Sequence, residues 1–359
     1  MSDTLGIIGS GGIGTLHAEA ASKAGWHIAA VCDVDSARVE ALVQKHSGAR
    51  AFTQVDDMLA LPGAAAVVIA VPNALHKEIA IAAMRAGKDV LLEKPMAMSV
   101  AECDSILEER DRTKRILQLG FVCRCTPMAD AARRLIQSQR LGNIYHAKAS
   151  IYRRRGIPGL GRWFTTKSQS GGGVLIDLGV HLVDLVMHLT GYPQATRVSG
   201  SCTSRFGSPI DHYRFTSMWA GPVNAAGVFD VEDGACALIR FVNGMTLELN
   251  AAWAMNLPDG TLHDGIVLLG DRGGCAFDLW RNRVVFSSVQ DDLLVDAKPQ
   301  LPEGDLWMNG WVAQHRMFLE SVTNRTAPQA TGENGRAVQA ILEAIYRSAA
   351  EEREVEVIA

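Results

Sequence analysis

Short apolar runs alternate with amphipathic stretches along the first 120 residues. The runs at 5–8, 26–32, 65–71, 89–92 and 116–119 predict strands, and 13–24, 35–45, 56–61, 75–86 and 100–113 predict helices. Ala65-Ala-Val-Val-Ile-Ala-Val71 lacks period-2 alternation, as expected of a parallel strand covered on both faces. Ser99 stands three residues before Glu102 in a capping-box pattern, and Gly25 and Gly87 follow two helix ends where a left-handed residue is wanted. Strand–helix alternation of this kind predicts an α/β architecture built on a doubly wound parallel sheet.

Beyond residue 121 the texture changes. A helix at 128–138 leads to a strand-like run at 144–154, a glycine-rich loop and a very apolar helix at 174–189. Strand-like runs follow at 197–203, 227–231, 235–241, 245–254, 266–269 and 275–279, spaced by turn signals such as Asp233-Gly234, Asn243-Gly244 and Asp259-Gly260. Helices at 307–324 and 335–351 close the pattern. This predicts a second, α+β domain with a largely antiparallel sheet, with the domains at 1–122 and 123–359.

Composition narrows the function classes. The 359 residues are 48% hydrophobic and 21% charged, enough for a full core, and 35 Lys+Arg against 39 Asp+Glu give a net charge of −4. That balance argues against a nucleic-acid binder or a polybasic membrane-surface protein. The most apolar stretch, 174–189, is interrupted by Asp177, His181, Asp184 and His188, so no membrane span is expected. The first residues show no basic n-region or h-region, and seven cysteines without framework spacing suit reduced thiols, so the expected location is cytoplasmic.

The first predicted strand ends in Gly9-Ser-Gly11-Gly-Ile-Gly14, immediately before a helix, and the second ends in Asp33. This is the context in which a GxGxxG segment signals dinucleotide binding on a Rossmann domain. Gly9 permits the tight turn, Gly11 lets backbone approach a pyrophosphate, and Gly14 allows close helix–strand packing. Gly12 and Ile13 begin a helix whose N-terminal N–H groups and dipole favour the phosphates. Asp33 would accept from the ribose hydroxyls and repel a 2′-phosphate, favouring NAD over NADP, although Arg38 lies close enough in sequence to leave NADP open. The alternative is a tight strand–helix turn in an unrelated α/β protein.

Ligands of open α/β sheets bind beyond the carboxyl ends of the strands. Pro72, Asn73 and His76 follow the predicted strand at 65–71, and Glu93-Lys94-Pro95 ends the next, so these residues are expected near the nicotinamide half of a cofactor. Pro72-Asn73 also reads as a turn with Asn73 capping a helix, and His76 as a surface or cap residue. A partly desolvated Lys94 amine can hydrogen-bond a substrate hydroxyl or shuttle its proton, whereas an isolated Lys-Pro would be an exposed turn.

At about 100° per residue, helical offsets of four, seven and eleven place Asp177, His181, Asp184 and His188 within about 40° of one line. Their neighbours are aliphatic, so the stripe is either an acid/base array, with His181 accepting a hydroxyl proton, or a buried hydrogen-bond network. A metal site is not expected, because Cys123-Arg-Cys125 is too closely spaced for a zinc half-site and no other ligand pattern appears.

In order, GIIGSGGIGTLHAEA, Asp33, VPNALH, LLEKPMAMS and GGGVLIDLGVHLVDL resemble the Gfo/Idh/MocA family of glucose–fructose oxidoreductases, inositol dehydrogenases and rhizopine-catabolism proteins. The resemblance implies an N-terminal Rossmann domain binding NAD or NADP, and a C-terminal α+β domain whose open sheet serves homodimers or homotetramers. It implies that Lys94 contacts substrate and nicotinamide, that Asp177 and His181 are the family's acid and histidine, and that Asp184 is a further acid near substrate. The loop carrying Trp163 is similar to segments lying over the nicotinamide. Tyr152 and Arg153 become substrate candidates, with Arg153 and Arg155 expected on one strand face and Arg154 on the other, or a solvated cluster. Gly120-Phe-Val-Cys-Arg-Cys departs from the family pattern, which weakens a substrate role for Arg124. The implied reaction moves hydride between a secondary hydroxyl of a sugar, glycoside or cyclitol and nicotinamide. An NAD-dependent glycosidase using transient oxidation, a non-catalytic dinucleotide-binding regulator and a reductase of another carbonyl are the competing readings.

Overall fold

A computed structural model of the chain describes residues 3–215, 219–278 and 283–358. Its first sheet has six parallel strands: β1 (Thr4–Ile8), β2 (His27–Cys32), β3 (Arg50–Phe52), β4 (Ala66–Ile69), β5 (Asp89–Leu92) and β6 (Leu117–Leu119). They lie in the order β3-β2-β1-β4-β5-β6. Helices α1 (Gly12–Lys23), α2 (Ser36–Val43), α3 (Val55–Leu59), α4 (His76–Arg85) and α5 (Val100–Thr113) connect them. Every residue of β4 and β5 is buried, which is why their sequences are continuously apolar instead of alternating. The chain moves outward from β1 through β2 and β3, then crosses back to β4. The ends of β1 and β4 therefore form the topological switch point where ligands of such sheets bind. Strand β3 was not expected; three residues are too few to show a hydrophobic period.

The second sheet is mixed. After α6 (Pro127–Gln137) comes β7 (Ile144–Tyr152), then α7 (Lys167–Ser170), a π-helical turn at Leu175–Gly179 and α8 (Val180–Thr190). The remaining strands are β8 (Ala195–Thr203), β9 (Gly234–Phe241), β10 (Thr246–Ala252), β11 (Gly265–Gly270), β12 (Gly273–Asp278), β13 (Arg283–Gln290), β14 (Leu293–Ala297) and β15 (Val355–Glu356). They are ordered β14-β13-β12-β11-β7-β10-β9-β8-β15, with β7 and β10 parallel and the other neighbours antiparallel.

Three expectations change here. The apolar run at 227–231 is not a strand. Gly227 lies so close to the backbone of Gly161 that a Cβ would sit 1.8 Å from its carbonyl oxygen, and Asp230 accepts from the Lys167 N–H, so this segment packs on the 156–167 loop. The continuous α-helix expected at 174–189 begins as a π turn. Strand β7 ends at Tyr152, so strand alternation does not govern residues 153–155. Leu279, at the end of one predicted strand, lies outside the described residues. Between Lys167 and Thr190 the chain is apolar and long enough to cross a membrane by composition, yet 89% of its most apolar 18-residue stretch is buried inside the protein.

Helices α9 (Leu306–Asn324) and α10 (Gly332–Glu351) complete the chain. The compact units are not contiguous: Met1–Cys125 groups with Trp307–Arg336, and Thr126–Leu306 with Ala337–Ala359, in contrast to the single cut expected after residue 122. Phe318 and Val322 of α9 enter the core formed by Leu5, Trp26, Ile28 and Leu91, with the Trp26 and Phe318 rings 5.4 Å apart. Arg325 pairs with the buried carboxylate of Asp89. Helical periodicity shows that α9 has an apolar face; it does not show which sheet that face covers.

Candidate active site

At the end of β1, Gly9 adopts φ +94°, and a Cβ there would lie 2.3 Å from the carbonyl oxygen of Ala70. A Cβ on Gly14 would lie 1.8 Å from the carbonyl oxygen of Gly9, so the helix reaches the strand only because this residue lacks a side chain. Above Gly11 and Gly12 no atom lies within 4 Å of the Cβ position. Gly11 caps α1 without a side-chain hydrogen bond, leaving the first-turn N–H groups around Gly12 and Ile13 directed at that open space. Among the described residues, the buried Ser10 hydroxyl oxygen has no hydrogen-bond partner. Open glycines, uncapped N–H groups and an orphaned hydroxyl together fit a pyrophosphate. Ser10 was not singled out from sequence, where it reads as a filler position in the motif.

Asp33 follows β2. Its Oδ2 accepts from the Ser10 N–H at 2.7 Å and its Oδ1 from the Asp35 N–H at 3.0 Å, so the carboxylate also braces the glycine loop. Arg38 is engaged by Asp35 one helical turn back, at 3.1 Å.

The next two strand ends are tied together by His76. It is fully buried, with Nδ1 2.8 Å from the Pro95 carbonyl oxygen and Nε2 3.1 Å from that of Val71. A neutral ring donates to only one of these, and burial holds its pKa below the usual histidine value. Pro72 and the buried Asn73 lead into α4 through a single 3₁₀ turn. Glu93 is buried, its Oε1 held by His17 Nε2 at 2.9 Å and its Oε2 accepting from the Lys94 N–H at 3.1 Å. Lys94 itself is half-buried at the end of β5.

In the second unit, the Gly171-Gly-Gly173 triplet has a separate reason at each position. Gly171 closes α7 with φ +83°; a Cβ on Gly172 would meet the Tyr346 hydroxyl at 1.9 Å; one on Gly173 would meet the Glu232 carbonyl oxygen at 1.9 Å. The buried Glu232 carboxylate accepts from the N–H groups of Gly173 at 2.9 Å and Leu175 at 3.0 Å, and from the Tyr346 hydroxyl at 2.9 Å. Burial raises its pKa, and the backbone donors oppose that rise. Burial beside Glu232 also holds the Tyr346 phenol well above its ordinary value, keeping it a donor.

Glu232 thus anchors the start of the π turn that carries Asp177. Asp177 is buried, and its Oδ2 accepts from the indole N–H of fully buried Trp253 at 2.9 Å. His181 follows in the first turn of α8, half-buried. A π turn closes i→i+5 hydrogen bonds and winds more slowly than an α-helix, so the 100° spacing does not hold between Asp177 and His181. Asp184 is fully buried and accepts from the Tyr192 hydroxyl at 2.7 Å. Glu232, Trp253 and Tyr346 were missed because their partners lie far along the chain.

The other candidates separate. Tyr152 is half-buried, its phenol pushed up by burial and by Glu248 and Asp264. The Arg153 guanidinium reaches the Gly156 carbonyl at 3.4 Å, while that of Arg155 lies 4.8 Å from the Phe206 ring centroid. Trp163 stacks on Phe164 with centroids 3.8 Å apart. Arg124 donates to the Gln329 carbonyl and the Asn334 side chain within the first unit. Among the described residues, no group of three or more His, Cys, Asp or Glu is placed to hold a metal ion.

Residues 4–121 match the oxidoreductase family with an NAD-binding Rossmann fold, and 129–276 match the GFO/IDH/MocA C-terminal domain. D-glucoside 3-dehydrogenase of Escherichia coli K12 is 26% identical over 322 residues, covering 90% of this chain and 88% of that protein. An inositol 2-dehydrogenase of Corynebacterium glutamicum strain R is 30% identical over 190 residues, covering 52% of this chain and about half, 54%, of the relative. A levoglucosan dehydrogenase solved with NADH and levoglucosan superposes with a TM-score of 0.85 at 21% identity over 99% of both chains, a likeness of fold.

Proposed function

Because the chain belongs to the GFO/IDH/MocA family of NAD-binding oxidoreductases, we propose that it transfers hydride between a secondary hydroxyl of a sugar, glycoside or cyclitol and nicotinamide. The observation that carries this reading is the half-buried amine-bearing Lys94 at a strand end of the sheet whose glycine loop fits a pyrophosphate. When bound, the dinucleotide supplies the hydride acceptor. His181 takes the hydroxyl proton, and the Lys94 ammonium stabilises the oxyanion that develops as the C–H bond breaks. Asp177, fixed by the Trp253 indole, orients the histidine or the substrate. Asp33 excludes a 2′-phosphate by charge, and Arg38 is engaged by Asp35, which supports NAD over NADP. Cofactor contacts are assigned to Gly9, Gly11, Gly12, Ile13, Gly14, Pro72, Asn73, Glu93 and Trp163, with His76 holding the loop ends from below.

Exposed Val289, Leu293 and Leu294 at the β13–β14 edge support self-association as a homodimer or homotetramer. The test is stoichiometric NADH formation with methyl β-D-glucoside, D-glucose, levoglucosan and myo-inositol. Net NADH supports a dehydrogenase; free methanol from the glucoside without NADH turns the reading to a glycosidase. Lys94→Ala is expected to abolish turnover and spare NADH binding; near-wild-type rates would remove the lysine from the mechanism.

A further inference from the structure

Beneath the end of β5 lies a buried chain of three polar side chains, of which only Glu93 has been given a part so far, as a cofactor contact. His17, on α1, and His315, on α9, are both fully buried, and Glu93 is 7% exposed. His17 Nδ1 lies 2.9 Å from His315 Nε2, and His17 Nε2 lies 2.9 Å from Glu93 Oε1. Trp311 packs edge-on against the His17 ring, with centroids 4.8 Å apart. Gly120 closes the other side: a Cβ there would lie 2.6 Å from Glu93 Oε1, leaving no room for the carboxylate to swing.

Donor and acceptor requirements order the protons. Among the described residues His315 Nδ1 has no hydrogen-bond partner, and burial holds this histidine well below the usual pKa, so the ring is neutral. An orphaned lone pair is less costly than an orphaned N–H, which puts the single proton on Nε2, facing His17. His17 Nδ1 must then accept, so His17 carries its proton on Nε2 and donates to Glu93. The far oxygen of the same carboxylate accepts from the Lys94 backbone N–H at 3.1 Å. The run His315→His17→Glu93←Lys94 N–H is directional, with His17 and Glu93 each held from both sides.

We infer that His17, acting through Glu93, is a positioning residue that fixes the backbone of Lys94 and so aims its amine. The inference rests on the reading of Lys94 given under the proposed function. Two near-isosteric variants separate aiming from mere packing. The amide nitrogen of a glutamine reaches the place of histidine Nε2, so His17→Gln keeps the donor to Glu93. The asparagine amide reaches only the place of Nδ1, so His17→Asn keeps the link to His315 and loses the one to Glu93.

Two readouts are taken on the full-length protein. One is the rate of NADH formation with the fastest substrate of the four-compound panel. The other, independent of substrate, is the ¹³C resonance of reductively methylated Lys94, assigned by its loss in Lys94→Arg. The expected result is a displaced Lys94 resonance and a kcat about 10- to 100-fold lower in His17→Asn, with the NADH Kd within about twofold. In His17→Gln both the resonance and the rate stay close to wild type. An unmoved resonance and full rate in His17→Asn overturn the inference, as does an equal loss in both variants, which is what packing alone predicts. Should His17→Asn not fold, Glu93→Gln sets an amide nitrogen against the Lys94 N–H; an unmoved resonance there overturns it too. If Lys94→Ala keeps its rate, the catalytic reading of Lys94 falls while aiming is still judged by the resonance. If Lys94→Ala is inactive and His17→Asn is fully active, only the aiming role falls.

Discussion

Replacing Gly173 with alanine tests whether the glycine triplet exists for packing. The added methyl would start 1.9 Å from the Glu232 carbonyl oxygen, and ordinary contact begins near 3.4 Å, so the two segments must separate by about 1.5 Å. Three hydrogen bonds cross that contact: Val174 N–H to the Glu232 carbonyl at 3.1 Å, and Gly173 and Leu175 N–H to its carboxylate at 2.9 and 3.0 Å. A neutral bond contributes about 1 kcal/mol and one to an ionised group about 1.5–3 kcal/mol, so losing all three would cost about 4–7 kcal/mol. Local relaxation recovers part of this, and a net loss of about 2–4 kcal/mol is expected. For the roughly 200-residue second unit that corresponds to a fall in Tm of about 5–15 °C. Thermal unfolding followed by circular dichroism, with activity measured well below Tm, gives the answer. A Tm within about 2 °C of wild type would refute the claim that the Glu232 backbone sets the size of this residue.

Gly11→Ala makes the opposite prediction: nothing lies within 4 Å of its Cβ position, so Tm should hold while the NADH Kd, read by fluorescence titration, rises about tenfold or more. Asp33→Ala should raise KM for both NAD and NADP, because the Ser10 and Asp35 N–H groups lose their acceptor, and should shift the NADP:NAD ratio of kcat/KM toward NADP; an unchanged ratio would refute the charge argument. Glu232 has a raised pKa in the folded protein. Across the window from its ordinary value of 4.5 up to that raised value, the folded chain keeps a proton that the unfolded chain has released, so stability falls as pH rises. Glu232→Gln should flatten that slope in a series of Tm measurements against pH, and an unaltered slope would assign it to another group.

What was legible in the sequence is what depends on neighbours along the chain. Strands β1, β2, β4, β5 and β6 announce themselves by short, mostly apolar runs, and Gly9, Gly14 and Asp33 by their placement at strand ends. Glu232 gives no such signal, because its partners are backbone N–H groups 57 and 59 residues away and a hydroxyl 114 residues away. The π turn is equally silent, since Leu175, Ile176 and Leu178 are buried all round and no polar face reports the winding. His76 reads as a surface residue at a helix start, yet it is fully buried because two loops converge on it from separate strands. Strands β13 and β14 were not expected; they are joined through Asp291-Asp292, both with positive φ, as a type I′ hairpin turn requires.

The return of residues 307–336 to the first unit has a consequence for synthesis on the ribosome. Leu5, Trp26 and Ile28 emerge early, but Phe318 and Val322, which pack with them, follow about 200 residues after the last strand of their sheet. At roughly 5–20 residues per second, that interval lasts about 10–40 s, during which one face of the nascent parallel sheet is bare of its final helix. Chaperone holding of ribosome-bound chains should therefore be strongest for nascent lengths between the exit of β6 and the exit of α9, and should drop once α9 can dock.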